Sequence, residues 1–370
     1  MSETVAPCSI DHFTISPPPQ ARPELFVDHQ KSGRSGHLGH ALFQRLDGEI
    51  FAFYPNCTSD DPGRHGTSGH SAAGWMELKR SRDGGRSWGE PVPLAYSKDA
   101  YDRRTGWSIF TEKAVVTDTG TIVLFHLLSD ISKDALWEPY LVPTSTRSTD
   151  GGETWSAPVE VGPDRGRIYG AAYGDGIVYV LKFRNDAEDD FCGTTDAHVY
   201  TLYASRDDGR SFAPVGDLPF NTRGRGYGTL CRLVDGRLIA YVYNKNDEEH
   251  LDYVVTGDGG RTWSEPQRTR FAKRIRNPQM IRFGGGYFLH GRSGSYGPAD
   301  GKGHFVLYFS PDGFTWDEGT YLAMREHGQG AYSNSLVVRS LGSPDRLRIH
   351  ASHAYSADST NIIAWWVMSR

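Results

Sequence analysis

Imidazole, guanidinium and phenol groups dominate the chemistry this chain can offer. His37, His40, His65, His70, His250, His290 and His353 are half of the 14 histidines, and all fall in polar stretches between strand-like runs. Arg167, Arg184, Arg223, Arg225, Arg274, Arg276 and Arg292 share those stretches, as do Tyr169 and Tyr332. Imidazole titrates near neutrality and suits proton donation or uptake. A guanidinium fork binds a carboxylate through two parallel hydrogen bonds. An activated tyrosine serves as nucleophile or base. A proton donor, an anion clamp and a nucleophile are what cleavage of a glycosidic bond at an acidic sugar requires. The plainer reading of any one of these histidines is a loop residue bonded to backbone.

Such groups are far apart in sequence, so a repeating scaffold has to gather them. One element recurs five times: Ser81-Arg82-Asp83-Gly84-Gly85-Arg86-Ser87-Trp88, then copies centred on Asp150, Asp207 and Asp258, and a one-residue-shorter copy at Ser310–Trp316. The aspartates lie 67, 57, 51 and 54 residues apart. Within each copy the Asp accepts backbone N–H groups across a turn. Glycine takes the positive φ of the turn, and the closing Trp or Phe is an apolar plate for a neighbouring sheet. These aspartates are therefore read as structural. Between them the pattern is strand-like: Ala41–Leu46, Glu49–Tyr54 and Trp75–Arg80 precede the first copy, and Ala114–Thr117, Thr121–Leu127 and Tyr140–Arg147 the second. Each interval holds about one four-stranded sheet, the spacing of propeller blades. The tail adds strands at Ser335–Arg339, Arg346–Ala351 and Asn361–Met368. A strand near Phe13–Ile15 or Leu25–Asp28, within an N-terminal segment of about thirty residues, would close that last sheet and remove its exposed edge. The expectation is an all-β, six-bladed β-propeller forming one domain over residues 1–370, with seven blades as the alternative.

Composition narrows the partners. The net charge of −5 and pI near 6.3 offer no polyanion-binding surface, so nucleic acid is not expected. Cys8, Cys57, Cys192 and Cys231 have no zinc-ligand spacing and read as free thiols. The first twenty residues lack the apolar core of a signal peptide, and no apolar run is long enough to span a membrane. A cytoplasmic location without cofactor follows as an expectation. The pairs His37/His40 and His65/His70 are the candidate ligands for a loop-bound metal ion.

The repeated boxes resemble those of the sialidase (neuraminidase) superfamily. That resemblance implies boxes on the turn between the third and fourth strands of each blade. The active face is then the opposite one, where the inner strands begin. Tyr332, in Gly330-Ala331-Tyr332-Ser333-Asn334, resembles the stretch holding the sialidase nucleophile, and His70 stands near the place of the acid/base aspartate. The sequence departs from the pattern elsewhere. Gly36-His37-Leu38-Gly39-His40 stands where an arginine grips the sugar carboxylate, and the fourth inner strand, Gly228-Thr229-Leu230-Cys231-Arg232, has no glutamate partner for the tyrosine. A second resemblance, to propeller-type polysaccharide lyases and rhamnosyl-glucuronate-cleaving enzymes, places His37 at their first-blade histidine. It pairs Tyr169 with Arg184, and Asn277 with Arg292.

Together these readings give a glycosidase acting at an acidic sugar, either sialic-acid-like or a uronic acid. The proton-handling residues are His37, His40, His70, Tyr169 and Tyr332. Arg167, Arg184, Arg225, Arg276 and Arg292 are the substrate-binding residues. Two alternatives stand beside it: β-elimination at a uronate by His, Tyr and Arg, and a non-catalytic glycan-binding propeller that stacks sugars on Trp107, Trp137, Tyr296 and Tyr355.

Overall fold

A computed structural model describes residues 9–29, 34–36, 38–57, 72–132, 140–185, 198–245, 247–293, 304–323, 332–340, 342–353 and 360–370. Five sheets have four antiparallel strands in simple sequence order, and a sixth has five strands. The inner strand of each blade is Leu42–Gln44, Trp107–Val116, Gly166–Gly174, Arg225–Arg232, Arg276–Phe283 and Ser333–Ser340, in blade order one to six. This is the six-bladed propeller. Strands alternate side chains between faces, and both faces of most strands are buried because each sheet packs between two others.

The boxes occupy the turns between third and fourth strands. In the fourth blade Asp258 Oδ1 accepts the backbone N–H groups of Arg261 and Thr262, at 2.9 and 3.0 Å, while Thr262 Oγ1 donates to Oδ2 at 2.7 Å. Thr256 Oγ1 donates to Oδ1 at 2.8 Å and accepts from Gly260 N at 2.9 Å. The same set recurs around Asp83 and Asp150. The box also reaches sideways. Gly260 has φ +94°, and a Cβ there would lie 2.2 Å from Leu202 of the third blade. Gly85 likewise faces Trp366 of the sixth blade, Gly152 faces Phe51 of the first, Gly209 faces Val123 of the second and Gly313 faces Leu233 of the fourth. The aromatic plates do the same: Phe212 lies 5.6 Å from Phe125, and Trp316 Nε1 donates to Tyr241 Oη at 3.2 Å. Each box therefore seats on the blade before it.

Closure uses more of the N-terminus than expected. Both candidate segments form strands, Phe13–Ser16 and Glu24–Val27, and both lie on the same edge of Asn361–Ser369. Arg348, fully buried, reaches across to the Glu24 carboxylate in that sheet. Two boundaries differ from the sequence reading. The second blade's inner strand begins at Trp107, not Ala114, because the polar Thr111-Glu112-Lys113 run interrupts its apolar pattern. The connection from the first blade to the second carries a helix, Ala95–Asp102, with Ser97 and Ala100 buried.

The Asp83, Asp150 and Asp258 carboxylates are held well below the usual carboxylate range, Asp258 chiefly by the Thr262 backbone N–H and then its hydroxyl. A depressed folded-state pKa stabilises above the ordinary carboxylate pKa and is lost as pH falls through the folded value. Asp258→Ala is expected to lower the thermal midpoint at neutral pH. Its deficit against wild type should shrink on acidification below about pH 4, as read by thermal melts across that range.

Candidate active site

The inner strands are not regular where they start. An extra residue sits in four of them: Glu112 in the second blade, Tyr169 in the third, one within Gly226–Tyr227 in the fourth and one within Asn277–Pro278 in the fifth. A β-bulge puts neighbouring side chains on one face of a strand and turns them away from the regular alternation. Here the bulges aim Glu112 with Lys113, Arg167 with Tyr169, and Tyr227 and Asn277 at the propeller axis, where they line one cavity. His40 joins from the first blade, Gln279 from the fifth and Tyr332 from the sixth, so all six blades contribute. Gly170 follows the Tyr169 bulge, and a Cβ there would lie 2.6 Å from the Leu230 backbone. The strands are that close at this level.

At the centre Arg167 and Glu112 make a two-pronged ion pair. Arg167 Nε donates to Glu112 Oε2 at 2.8 Å and Nη2 donates to Oε1. Both side chains are almost wholly buried. The guanidinium carbon lies 4.2 Å from the Tyr332 ring centroid and 5.4 Å from that of Tyr169. Tyr332 Oη donates to Tyr227 Oη at 3.3 Å, and the Tyr227 ring stands edge-on to Tyr169 and Tyr332 at 5.8 and 5.7 Å. Asn334 Nδ2 donates to the Glu112 carbonyl at 3.0 Å and ties the bulge to the sixth blade. Asn277 holds φ +55°, and its buried Oδ1 has no hydrogen-bond partner among the described residues. The enclosed space is about 20 Å³, room for one water-sized group. It is therefore the floor of a site and not a cleft for a whole sugar.

Burial sets the protonation states. Burial pushes the Tyr169 phenol well above its ordinary value. Lys113 falls to about 8 through burial, with Glu112 opposing the shift and Arg167 adding to it. His126 and His290 are each pushed down to about 3 by burial. Their ring nitrogens lie between hydroxyls, His126 between Thr111 and Thr146, His290 between Ser333 and Ser335, at 2.8 to 3.1 Å. These two are neutral structural histidines. Cys57 and Cys231 are buried free thiols pushed up to about 12 by burial, and so are unreactive.

Of the residues singled out from sequence, His40, Arg167, Tyr169 and Tyr332 come together in this cavity. Arg276 stands behind it, 5.8 Å from the Tyr227 ring, 5.2 Å from the Tyr243 ring and 3.9 Å from Glu248. Buried Arg292 lies opposite Arg276 across the strand pair. Arg225 is held by Asp252 through a bond of 2.7 Å, and Arg184 faces Asp164 at 3.7 Å. Neither lines the cavity, so the pairing of Arg184 with Tyr169 is not formed there. Of the stacking candidates, Trp107 is exposed at the start of its inner strand. His37, His65, His70, Trp137, Tyr296 and Tyr355 lie outside the described residues. Among the described residues no group of three His, Cys, Asp or Glu side chains could hold a metal ion.

Glu112, Lys113, Tyr227 and Gln279 were missed, and Asn277 was named only as the partner of Arg292 in the lyase resemblance. For Glu112 and Lys113 a signal was present: two adjacent charges inside the run Ile109-Phe110-Thr111-Glu112-Lys113-Ala114-Val115. Removing one partner of a buried ion pair strands the other, at a cost of about 3–5 kcal/mol. Glu112→Leu is expected to destabilise by that amount in chemical denaturation. The double variant Glu112→Leu/Arg167→Met should recover most of the loss; if it does not, the pair is not the source of the cost.

A family model described as a BNR repeat-like domain matches residues 66–343. A protein of unknown function from Dyadobacter fermentans DSM 18053 superposes with a TM-score of 0.70 at 14% identity, covering 94% of this chain and 98% of that one. The NanB sialidase of Streptococcus pneumoniae gives 0.63 at 11% identity, with 94% of this chain and 70% of that chain covered. An α-L-arabinanase of Penicillium chrysogenum gives 0.59 at 14% identity, covering 90% and 93%. Identities this low speak for the fold and not for the reaction. No curated protein matches the sequence. The family match covers most of the chain and spans all five boxes, so the chain belongs to the BNR repeat-like domain family, as a six-bladed propeller.

Proposed function

We propose that this chain is a glycosidase that cleaves a bond at an acidic sugar held over the axial cavity, with Tyr332 as nucleophile. The observation that carries the reading is the stacked array of Glu112, Arg167 and Tyr332, drawn from three blades onto one cavity. A sialidase-type tyrosine needs a carboxylate neighbour. The fourth inner strand lacks one, but the second supplies Glu112, the one carboxylate among the lining residues. The Arg167 guanidinium carbon lies 4.2 Å from the Tyr332 ring centroid, so the cation and the attacking side chain share one face of the cavity. The NanB sialidase and the arabinanase, both similar in fold, are carbohydrate-cleaving proteins by name, which agrees with a saccharide substrate.

In this mechanism Tyr332 Oη bonds to the anomeric carbon as the glycosidic C–O bond breaks. The phenolic proton passes to Glu112, and the leaving oxygen takes a proton from an imidazole, with His40 and His70 as the candidates. Water then attacks the anomeric carbon and the C–O bond to Tyr332 breaks. One proton of that water stays on the product hydroxyl, the other restores the imidazole, and Glu112 returns its proton to the Tyr332 oxygen, which completes hydrolysis. Elimination at a uronate is the second reading. It draws on the Lys113 charge beside the cavity, which would neutralise the uronate carboxylate and acidify its α-proton.

Tyr332→Phe removes one hydroxyl and is expected to keep the fold and lose at least about 10²-fold in cleavage, measured on acidic oligosaccharides by reducing ends. Unaltered cleavage in that variant would remove Tyr332 from the mechanism. Ultraviolet absorbance of an unsaturated uronate in the wild-type products would replace hydrolysis by elimination.

A further inference from the structure

We propose that Lys113, together with the Nη1 edge of Arg167, forms a subsite at the floor of the cavity that takes one carboxylate oxygen of a saccharide and so selects acidic over neutral sugars. The inference deepens the carbohydrate reading above and rests on it.

Three observations converge on this floor. The first is idle hydrogen-bonding capacity. An ammonium has three donors, and Lys113 uses one, to Gln279 Oε1, among the described residues. Arg167 Nη1 is buried without a partner among the described residues, although Nε and Nη2 are taken by Glu112. Leaving such donors unmet in the interior is costly unless something arrives to meet them. The second is charge. Glu112 neutralises Arg167, so among the lysine, arginine and carboxylate groups of the lining the Lys113 charge is left over. No compensation comes from below. Lys113 also borders a second axial cavity of about 500 Å³ towards the box face, whose charged lining is Arg232, Arg282, Arg339 and Asp118. The third is size. The upper cavity admits one water-sized group, which suits a single oxygen presented by a ligand lying above it.

A purely structural lysine does not account for the position. Burying an ammonium costs several kcal/mol, and a methionine of similar length would fill the space without that cost. The bulge at Glu112 is what turns Lys113 toward the axis. A carboxylate oxygen seated between Lys113 and Arg167 Nη1 would meet donors from both and cancel the surplus charge.

The charged and titratable groups around Lys113 are Glu112 on its own strand, Arg167 on the third blade and His290 on the fifth. The phenols of Tyr169, Tyr227 and Tyr332 and the imidazole of His40 share the cavity. His290 is neutral across the working range. Lys113 is therefore the group that loses its charge as pH rises through about 8.

The test is calorimetric titration of the whole wild-type chain and of Lys113→Met with D-glucuronate, D-galacturonate and N-acetylneuraminate. Each acid is compared with its methyl ester, well below and well above pH 8. At least one acid should bind wild type roughly tenfold more tightly than its ester, a difference of about 1.4 kcal/mol, and the preference should fade at the higher pH. Lys113→Met should lose the preference, keep its affinity for the ester and melt no lower than wild type. A preference that survives in Lys113→Met, or no preferred acid in wild type, overturns the subsite. Cleavage assays on the same chains separate the two readings. A Lys113-dependent acid preference without turnover removes the enzyme and keeps the subsite, whereas turnover with a Lys113-independent preference does the reverse.

Discussion

The close seating of each box on the preceding blade is the contact on which the ring depends. At Gly260 the backbone lies so near Leu202 that no side chain fits, and the other four boxes place a glycine against the preceding sheet in the same manner. The hydrogen bonds inside the box keep that surface rigid, because one aspartate satisfies several turn donors at once. Repeating one fixed contact repeats one fixed rotation between neighbouring sheets. Five such rotations join the six blades, the sixth blade packs on the fifth without a box through contacts such as Phe305 stacked on Trp365 at 5.3 Å, and the two N-terminal strands on the edge of Asn361–Ser369 fasten the ring. Convergence of the inner strands on an axis is thus a consequence of turns on the far face.

Convergence alone would fill the axis with whatever the regular alternation pointed there. The bulges change what arrives. In the second blade an extra residue lets Glu112 and Lys113 face the axis together, and in the third it lets Arg167 and Tyr169 do so. A bulge leaves backbone groups outside the ladder, and these need other partners. Asn334 meets the Glu112 carbonyl, and the Tyr200 hydroxyl meets that of Gly226. Side chains of other blades thereby hold the irregular backbone in place. The buried charges that result are poor contributors to stability, which is how sites differ from cores.

This division explains what the sequence could tell. The boxes are local: donor, acceptor and glycine lie within eight residues, so fold and blade number were readable without tertiary information. His40, Arg167, Tyr169 and Tyr332 were readable once the strand entries were placed, because they sit at those entries. Arg184 and Arg225 sit at equivalent places but face Asp164 and Asp252, and nothing local announces a partner twenty or more residues away. Tyr227 needed its bulge, and Asn277 was named through its pairing with Arg292, while the bulge that turns it to the axis has no fixed residue signature. Glu112 and Lys113 were visible as charges within an apolar run but were passed over as a strand boundary.

The distribution of histidines carries the argument one step further. Proton transfer at neutral pH needs an imidazole that both titrates near neutrality and reaches solvent or substrate. His126 and His290 do neither, since burial depresses them to about 3 and hydroxyls occupy both ring nitrogens. His350 is also lowered well below its ordinary value, first by burial and then by Arg348, whose Nε donates to its Nε2. These three hold strands together as neutral acceptors and donors. In the proposed mechanism acid–base work therefore falls to groups that line the axial cavity. Its charged lining beside Arg167 is Glu112, joined to Tyr332 through that guanidinium, and Lys113 at the floor. In the proposed mechanism the nucleophile and the anion subsite share Arg167 and are coupled: charge drawn toward Nη1 by a ligand weakens the contact of the guanidinium with the Tyr332 ring. Carboxylate binding and attack by Tyr332 would then be one electrostatic problem, with the Glu112–Arg167 pair as its common member.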